Sequence, residues 1–325
     1  MISKLYYIET DSLDPYHNIA LEEYLLDTLP VNSMTMYLWQ NERTVVIGRN
    51  QSSYNEVNIQ KLEEDGGHLA RRLSGGGAVY HDTGNLNFTF ITSKADFDLA
   101  KQDEVILNAL RRFNIKAEVN GRNDLTIEGR KFSGHAYYHT NKNSLHHGTI
   151  MVSVNENSLT DYLNVSKKKL ASKKVESVRS RIINLNELNS SITVNELKNE
   201  LIMSFIETYN SNPTILSEED LDKDEIRRRA ERFASEQWKY DKPETFDKEQ
   251  EQRFMWGTVT VKYSEEDGLI SNSAIYTDSL NTNELIKLPS KLKGRRIDSA
   301  LYEIADNDEE RDVISLLLGG QADEI

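Results

Sequence analysis

The chain has 325 residues, 28% of them charged, and a net charge of −14. This acidic balance argues against binding to nucleic acid or to anionic membranes. No cysteine occurs, which excludes disulfides, thiolate zinc sites and cysteine nucleophiles. The N-terminus lacks an apolar signal region and no apolar run reaches the roughly 18 residues of a membrane span, so we expect a cytoplasmic protein.

Helix and strand patterns alternate along the first part of the chain. Asp14 is predicted to cap a helix that begins at Pro15. Within this helix, Glu22, Glu23 and Asp27 are expected to face water. The further strands predicted from apolar alternation are 34–39, 44–48 and 85–92, and the further helices are 58–65 and 99–113.

Residues 71–82, with the sequence RRLSGGGAVYHD, are the strongest candidate for a ligand site. Consecutive glycines permit positive φ and close approach of a ligand to the backbone, and their N–H groups can form a nest for an anion. Arg71 or Arg72 offers a planar, charged fork for a phosphate or carboxylate. A flexible glycine turn flanked by surface arginines explains the same residues equally well.

A hairpin is predicted around Glu128-Gly129. Residues 124–128 alternate as a strand, and a second strand follows the turn, which places Lys131 just past the hairpin tip. Asp124 supplies a hard oxygen suited to Mg²⁺. Taken alone, a lysine on a strand is most often simply exposed to solvent.

Four histidines lie close together in the middle of the sequence. His135 and His139 have the spacing of metal ligands on a helix, but their neighbours indicate strands, so metal binding by this pair is disfavoured. Another strand is predicted at 146–154. His146 and His147, at its start, are interpreted as hydrogen-bonded structural residues.

Residues 162–181 are strongly basic in an otherwise acidic chain, with seven Lys or Arg residues against one Glu. A mobile lid over a polyanionic ligand and a contact for an acidic partner both fit this reversal of charge. A solvated helical face fits it as well.

The C-terminal part predicts a second, smaller α/β domain. A polar stretch that contains a proline, 239–251, separates it from the rest, and we place domains at 1–245 and 246–325. Before this stretch, helices are predicted after a capping box at 193–196 and at 224–236. After it, the small domain is predicted to contain strands at 258–263 and 269–276 and helices at 283–292 and 309–318.

Common nucleotide and hydrolase motifs do not occur. The dipeptide Gly-Lys of a Walker loop is missing, and the glycine stretch lacks the third glycine of a dinucleotide fingerprint. Neither Gly-x-Ser-x-Gly nor His-Glu-x-x-His is present. A glycine turn with arginines, a strand lysine and a carboxylate remain, and a nucleoside-triphosphate site needs such parts.

Together these stretches resemble the lipoate–protein ligase A family. The stretch at 71–85 is similar to the family's lipoate-binding loop motif, and the resemblance spans nearly the whole chain. The matching stretches are Asp14-Pro15, VVIGR at 45–49, RRLSGGGAVYHDTGN at 71–85, GRNDL at 121–125, RKFSGHA at 130–136, HHGT at 146–149, 163–181 and TDSL at 277–280.

The resemblance implies an α+β fold like that of biotin–protein ligases, with mixed β-sheets flanked by helices and a small α/β C-terminal domain. It implies an ATP-dependent, AMP-forming ligase that also uses Mg²⁺. Lipoate and ATP first give lipoyl-AMP and pyrophosphate. The lipoyl group then passes to a lysine of a lipoyl domain of a 2-oxoacid dehydrogenase or of the glycine-cleavage H protein.

The resemblance also implies roles for single residues. Lys131 is the catalytic residue and contacts both the carboxyl end of lipoate and the α-phosphate. Asp124 binds the metal, and a loop at 167–181 folds over the adenylate. The implied nucleotide-binding residues are Arg72, Gly76, Gly77, Ala78, Val79, Tyr80, Asn123, Asp124 and Lys131.

The chain departs from the family pattern in two places, and other functions compete. His135 replaces what is often a smaller residue, and the hairpin before Lys131 looks short. One alternative is a lipoyl or octanoyl transferase of the same fold that uses a pre-made acyl-adenylate. Another is a non-catalytic binder of lipoyl domains. Biotin ligation is less favoured, because Gly129-Arg130-Lys131 only partly matches the motif of those enzymes.

Overall fold

The computed structural model describes residues 2–121, 123–164, 181–241, 244–281 and 283–319. Arg122 lies outside the described residues, and so does the predicted lid at 167–181 apart from Arg181. Among the described residues, no helix is both long and apolar enough to cross a membrane.

Helices and strands are mixed along the chain, as expected for an α+β protein. The helices are α1 Pro15–Thr28, α2 Ser53–Glu56, α3 Ile59–Glu64, α4 Leu99–Arg112, α5 Glu156–Tyr162, α6 Leu185–Leu188, α7 Val194–Tyr209, α8 Lys223–Ala234, α9 Glu236–Lys239, α10 Leu288–Leu292 and α11 Asp308–Leu317. The strands are β1 Lys4–Glu9, β2 Ser33–Trp39, β3 Thr44–Ile47, β4 His68–Arg71, β5 Val79–His81, β6 Asn85–Ser93, β7 Glu118–Asn120, β8 Asp124–Ile127, β9 Arg130–His139, β10 Asn143–Met151, β11 Thr214–Ile215, β12 Lys248–Phe254, β13 Gly257–Glu266 and β14 Leu269–Thr277.

An eight-stranded sheet forms the centre of the larger part of the chain, in the order β11-β1-β2-β6-β10-β9-β8-β7. β1 pairs in parallel with β2 and β11, whereas the other pairs are antiparallel. The expected mixed sheet is therefore confirmed.

Helices cover both faces of this sheet. On one face, Phe205 of α7 packs with Phe90 of β6 and with α4. On the other face, Ile19 of α1 and Phe233 of α8 pack in one cluster with Tyr37 of β2. Every residue of β2 is buried, because helices cover both faces of the strand. A strand in this position needs apolar or hydrogen-bonded side chains on both faces.

Two three-stranded sheets complete the fold. The sheet β4-β3-β5 carries the glycine turn between β4 and β5. The sheet β12-β13-β14 packs with α10 and α11 around an apolar cluster of its own, which includes Val259, Leu288 and Val313. This agrees with the expected small α/β part, and the boundary at residues 245 and 246 stays a prediction.

Two helix starts have the predicted capping residues. The Asp14 side chain accepts a hydrogen bond from the backbone N–H of Tyr16, and Pro15 begins α1. Thr193 and Glu196 form the predicted capping box before α7. Both predictions are confirmed, since each cap satisfies N–H groups that have no partner within their own helix.

Two predicted boundaries are wrong by several residues. The strand predicted at 146–154 spans Asn143–Met151, because its pairing with β6 and β9 sets its ends. The helix predicted at 283–292 begins only at Leu288, with a proline in its first turn. Proline is tolerated there and disrupts a helix farther along.

Candidate active site

The predicted hairpin forms between β8 and β9, and Lys131 lies just past its tip. Glu128 and Gly129 have φ values of 51° and 76°, which suit a two-residue turn between twisted strands. The pairing register shifts between Leu125 and Thr126. Such a bulge changes the direction of nearby side chains. Here Thr126, on one side of the shift, pairs with Lys131.

Lys131 forms an ion pair with Asp124 across the two strands, with Nζ 2.8 Å from Oδ1. The lysine side chain lies over Gly134, because a Cβ at that position would be 2.6 Å from Nζ. The predicted cation and the predicted metal-binding carboxylate are therefore in direct contact.

The backbone of Lys131 also holds the chain that follows the basic segment. Its N–H donates to the carbonyl of Arg181 at 2.7 Å, and its own carbonyl accepts from the N–H of Ile183 at 3.0 Å. Residues that emerge from the predicted lid therefore run directly beside the candidate catalytic lysine.

The glycine turn contacts the small C-terminal sheet. Gly76 has a φ of +88°, a region that favours glycine, and its N–H donates to the carbonyl of Ser279 at 2.9 Å. A Cβ at Gly75 would lie 2.1 Å from that same carbonyl oxygen. Glycine is therefore needed here for contact between the two parts of the chain.

Arg72 holds the turn from inside the protein. Its guanidinium donates to the carbonyls of Gly75, Gly77 and Val46 at 2.6, 2.9 and 3.1 Å. Burial of the cation lowers the pKa of Arg72 to about 10. The side chain also lines a cavity, and its predicted contact with nucleotide stays a prediction.

Arg71 is engaged elsewhere and offers no fork to a ligand at the turn. It pairs with Asp241 at 2.9 Å. It also donates to the carbonyls of Trp238, Lys239 and Gln51 at 3.0, 3.0 and 2.6 Å. Of the two arginines considered from the sequence, Arg71 has a structural role, because its guanidinium is occupied by these contacts.

Two cavities meet at the glycine turn. The first has a volume of about 130 Å³ and is lined in part by Lys131. The second has a volume of about 390 Å³ and is lined by Asp124 and by residues of the small sheet, including Arg253. The residues that line both are Gly76, Gly77 and Asn123. The Lys131–Asp124 pair therefore joins the two cavities.

The cavities account for most of the predicted site residues. Arg72, Ala78 and Val79 line the first cavity. Tyr80 lines neither and is buried in an apolar cluster, where its ring centroid is 5.5 Å from that of Tyr162. The Tyr80 side chain thus belongs to the core beside the sheet β4-β3-β5.

A buried chain of hydrogen bonds, not anticipated from the sequence, borders the first cavity. Glu22, expected to face water, is fully buried, and its Oε1 lies 2.7 Å from His147 Nδ1. His147 Nε2 lies 2.6 Å from Ser74 Oγ. The order Ser, His and acid is that of a hydrolase triad, but Ser74 is fully buried and accepts a hydrogen bond from Arg72. The chain is a structural network rather than a nucleophile system.

The histidines on β9 and β10 do not pair as the four-residue spacing of His135 and His139 would suggest. His135 contacts His146 instead. His146 and His147 are both hydrogen-bonded, as predicted, but alternate strand positions place them on opposite faces. His146 lies 3.0 Å from His135, and burial lowers the pKa of His146 well below its usual value. His135 and His139 are not brought together, since four residues of strand span about 13 Å.

Family models assign the class of the chain. The lipoyl protein ligase A/B catalytic domain matches residues 14–206, a range that includes the glycine turn and Lys131. The bacterial lipoate protein ligase C-terminus matches residues 243–313. The chain therefore belongs to the lipoyl protein ligase A/B catalytic-domain family.

Two relatives carry the more specific name lipoate-protein ligase A. The one from Blochmanniella pennsylvanica (strain BPEN) is 40% identical over 293 residues, which cover 88% of this chain and 86% of the relative. The one from Blochmanniella floridana is 39% identical over 290 residues, which cover 87% and 86%.

Solved structures show the same fold. P. falciparum LipL1 in complex with lipoate superposes with a TM-score of 0.84 at 29% identity, covering 97% of this chain and 99% of that one. A bipartite lipoate protein ligase from Thermoplasma acidophilum, described with its E2 lipoyl domain, gives 0.65 at 27% identity over 74% and 96%. A lipoate-protein ligase A bound with ATP gives 0.62 at 26% identity over 74% and 98%.

Proposed function

We propose that this chain is an ATP-dependent lipoate–protein ligase, which activates lipoate as lipoyl-AMP and then transfers the lipoyl group to a protein lysine. The main support for this proposal is the position of Lys131. It lines the first cavity and forms an ion pair with Asp124, which lines the second. We assign the acyl chain of lipoate to the first cavity and the nucleotide to the second, with the phosphates at the glycine turn that lines both. This assignment places Arg72, Ala78 and Val79 of the first cavity beside lipoate rather than beside the nucleotide that the resemblance implies.

In the first step, a lipoate carboxylate oxygen attacks the α-phosphorus of ATP and pyrophosphate leaves. Activation is needed because a carboxylate is stabilised by resonance and has a poor leaving group. The Lys131 ammonium offsets the negative charge that grows around phosphorus and then holds the adenylate. No covalent enzyme intermediate is required.

Backbone groups of the glycine turn are the proposed contacts for the phosphates. A Cβ at Gly77 would meet no atom within 4 Å, so the backbone there is open to a ligand. Asn123, which lines both cavities, is held in place by hydrogen bonds with the backbone of His135 at 2.7 and 3.0 Å. Such pre-positioned donors cost no reorganisation when charge develops.

Asp124 fits the requirements of a magnesium ligand. Its carboxylate borders the second cavity and pairs with the Lys131 ammonium, whereas Asp278 in the same cavity pairs with Arg253 and also accepts from the Thr258 N–H. Mg²⁺ is usually bound through one or two carboxylates together with substrate phosphates. The ion would neutralise phosphate charge, and Asp124 is the residue that would hold it.

In the second step, the acceptor lysine attacks the acyl carbonyl, loses a proton and displaces AMP, so that an amide forms. The chain has no cysteine, so no thioester can form on the enzyme and the transfer is direct. The archaeal ligase described with its E2 lipoyl domain supports an acceptor of this kind. We propose a lipoyl domain of a 2-oxoacid dehydrogenase or the glycine-cleavage H protein.

Both parts of the chain contribute to the proposed site. Arg253, Trp256 and Leu280 of the C-terminal part line the second cavity together with Asp124. We therefore propose that domains 1–245 and 246–325 form one functional unit during adenylation.

Pyrophosphate release by the purified protein, with Mg·ATP and lipoate, tests the first step. Apo acceptor domains, added one at a time, test the second, and the domain that becomes lipoylated identifies the partner. Transfer from supplied lipoyl-AMP without pyrophosphate release would favour the transferase alternative. Binding to lipoyl domains with neither reaction would favour the non-catalytic alternative.

A further inference from the structure

We propose that Asp103, His135 and His146 form an interior site for one divalent transition-metal ion, with zinc as the best match. The three residues come from α4, β9 and β10 and are 5%, 4% and 0% exposed. One ligand atom from each lies within 4.8 Å of the other two. The site does not include Asp124 and supplies no step of the proposed ligation, so it is tested independently.

The three ligand atoms already have the spacing that one ion requires. Tetrahedral zinc with bonds of about 2.0–2.1 Å holds its donor atoms about 3.3 Å apart. Here His135 Nδ1 lies 3.2 Å from Asp103 Oδ1 and 3.0 Å from His146 Nε2. The third separation, from His146 Nε2 to Asp103 Oδ1, is 3.9 Å.

The outer hydrogen bonds of both imidazoles are those of metal-ligating histidines. His146 Nδ1 lies 2.9 Å from Gln102 Oε1, which can only accept, so Nε2 keeps its lone pair. His135 Nε2 lies 2.9 Å from Ser133 Oγ, which can accept in the same way. Ligating histidines almost always donate their second N–H to such a partner.

When both histidines carry their proton on the outer nitrogen, three atoms with lone pairs face one another, namely His135 Nδ1, His146 Nε2 and Asp103 Oδ1. Asp103 Oδ1 has no hydrogen-bond partner in the described part of the chain, and a buried polar atom without a partner is costly. A proton shared by His135 and His146 would relieve one contact and leave the Asp103 oxygen unsatisfied. One metal ion would relieve all three contacts.

The chemistry of the three ligands indicates which metal ion would bind, and the position of the site in the fold indicates what the ion would do. Two imidazoles and a carboxylate suit Zn²⁺ or a similar first-row ion rather than Ca²⁺ or Mg²⁺. Phe88 packs edge-on to both rings, with centroid distances of 5.1 and 5.2 Å. The backbone of His135 holds Asn123, so an ion here would brace β9 beside the two cavities.

Metal content of the tag-free, full-length chain tests the proposal. After loading with zinc and dialysis against metal-free buffer, we expect about one zinc ion per chain. Asp103→Asn and His135→Gln should each retain less than about a tenth of that amount. Two matched controls, His139→Gln on the same strand and Glu104→Gln at the partly exposed residue next to Asp103 on α4, should retain the wild-type amount.

Measurements on the unaltered chain keep the test decisive if a variant fails to fold. Cobalt in place of zinc should give visible absorption of an ion bound by nitrogen and oxygen. Zinc should also raise the melting temperature, because an ion that binds only the folded state stabilises it. A wild-type chain that retains no zinc and gains no stability would overturn the proposal in favour of a shared proton. Full retention by Asp103→Asn and His135→Gln would overturn it as well.

Discussion

The Lys131 ammonium lies 2.8 Å from Oδ1 of Asp124 at the junction of the two cavities. The two side chains are 38% and 33% exposed, and an ion pair this open contributes only about 0–1 kcal/mol to stability. The strand register places Asp124 opposite Gly134, so the pair forms between neighbouring strands. We infer that the contact positions a cation for chemistry and does little to hold the fold.

Lys131→Ala should lower the rate of lipoyl-AMP formation by about 10²–10³, the usual cost of removing one electrostatic contact to a transition state. The fold should remain intact, because the lost ion pair is exposed. Lys142→Ala, at an exposed position beyond the end of β9, is the matched control and should form adenylate normally. A folded Lys131→Ala protein with normal adenylate yield would refute the role.

Asp124→Asn should raise the Mg²⁺ concentration needed for half-maximal pyrophosphate release. The amide keeps the shape of the side chain but loses the charge that a hard cation requires. We expect a change of more than about tenfold, since even groups that only support metal ligands cost 10–100-fold in affinity when removed. If Asp124 only positions Lys131, the maximal rate will fall while the Mg²⁺ dependence stays unchanged.

Gly134→Ala should displace Lys131 without unfolding the chain. The new Cβ would lie 2.6 Å from Nζ and 2.8 Å from Cε of Lys131, and a flexible lysine can swing away at little cost. We expect stability within about 0.5 kcal/mol of wild type, together with a loss of adenylation that approaches that of Lys131→Ala. Wild-type adenylation by this variant would show that the observed lysine position is not the productive one.

Short-range patterns are enough to predict the part of the site that is close in sequence. Lys131 lies where the turn Glu128-Gly129 places it, because two residues with positive φ determine the strands on either side. Gly76 likewise has the left-handed conformation that a glycine run permits. In both cases the relevant chemistry lies within a few residues.

The networks behind the cavity could not be predicted, because they join distant residues across the sheet. Glu22 is buried on a helix where alternation with charged neighbours indicates an exposed face, and Thr89 and His147 both form hydrogen bonds with its Oε1. His135 meets His146 because β9 and β10 pair in a particular antiparallel register. No period along the sequence identifies which strands will pair or which helix will cover them.

Arg72→Lys should lower the free energy of unfolding by about 2–5 kcal/mol. One ammonium cannot replace a fork that reaches the carbonyls of Val46, Gly75 and Gly77, and each buried group left unpaired costs about 1–3 kcal/mol. Arg111→Lys, at an exposed ion pair, should stay within about 0.5 kcal/mol of wild type. Denaturant titration measures the free energy of unfolding of both variants. A separate ATP titration of the Arg72→Lys protein, below its melting temperature, tests the predicted nucleotide contact of Arg72. Unchanged stability of Arg72→Lys would contradict the structural part of its role.

His81 should make the protein less stable as the pH falls below neutrality. Burial, the charge of Arg72 and the neighbouring His147 lower the pKa of His81 to about 3, whereas an unfolded histidine titrates near 6.5. Between these values the unfolded chain binds a proton that folded His81 does not, so unfolding becomes easier by up to about 1.4 kcal/mol per pH unit. His81→Gln should lose this contribution, so denaturant titrations at about pH 7, 6 and 5 should show a shallower decline than in wild type. His68→Gln, at an exposed position, is the control and should retain the wild-type slope. Equal slopes in wild type and His81→Gln would mean that His81 accepts a proton in the folded state.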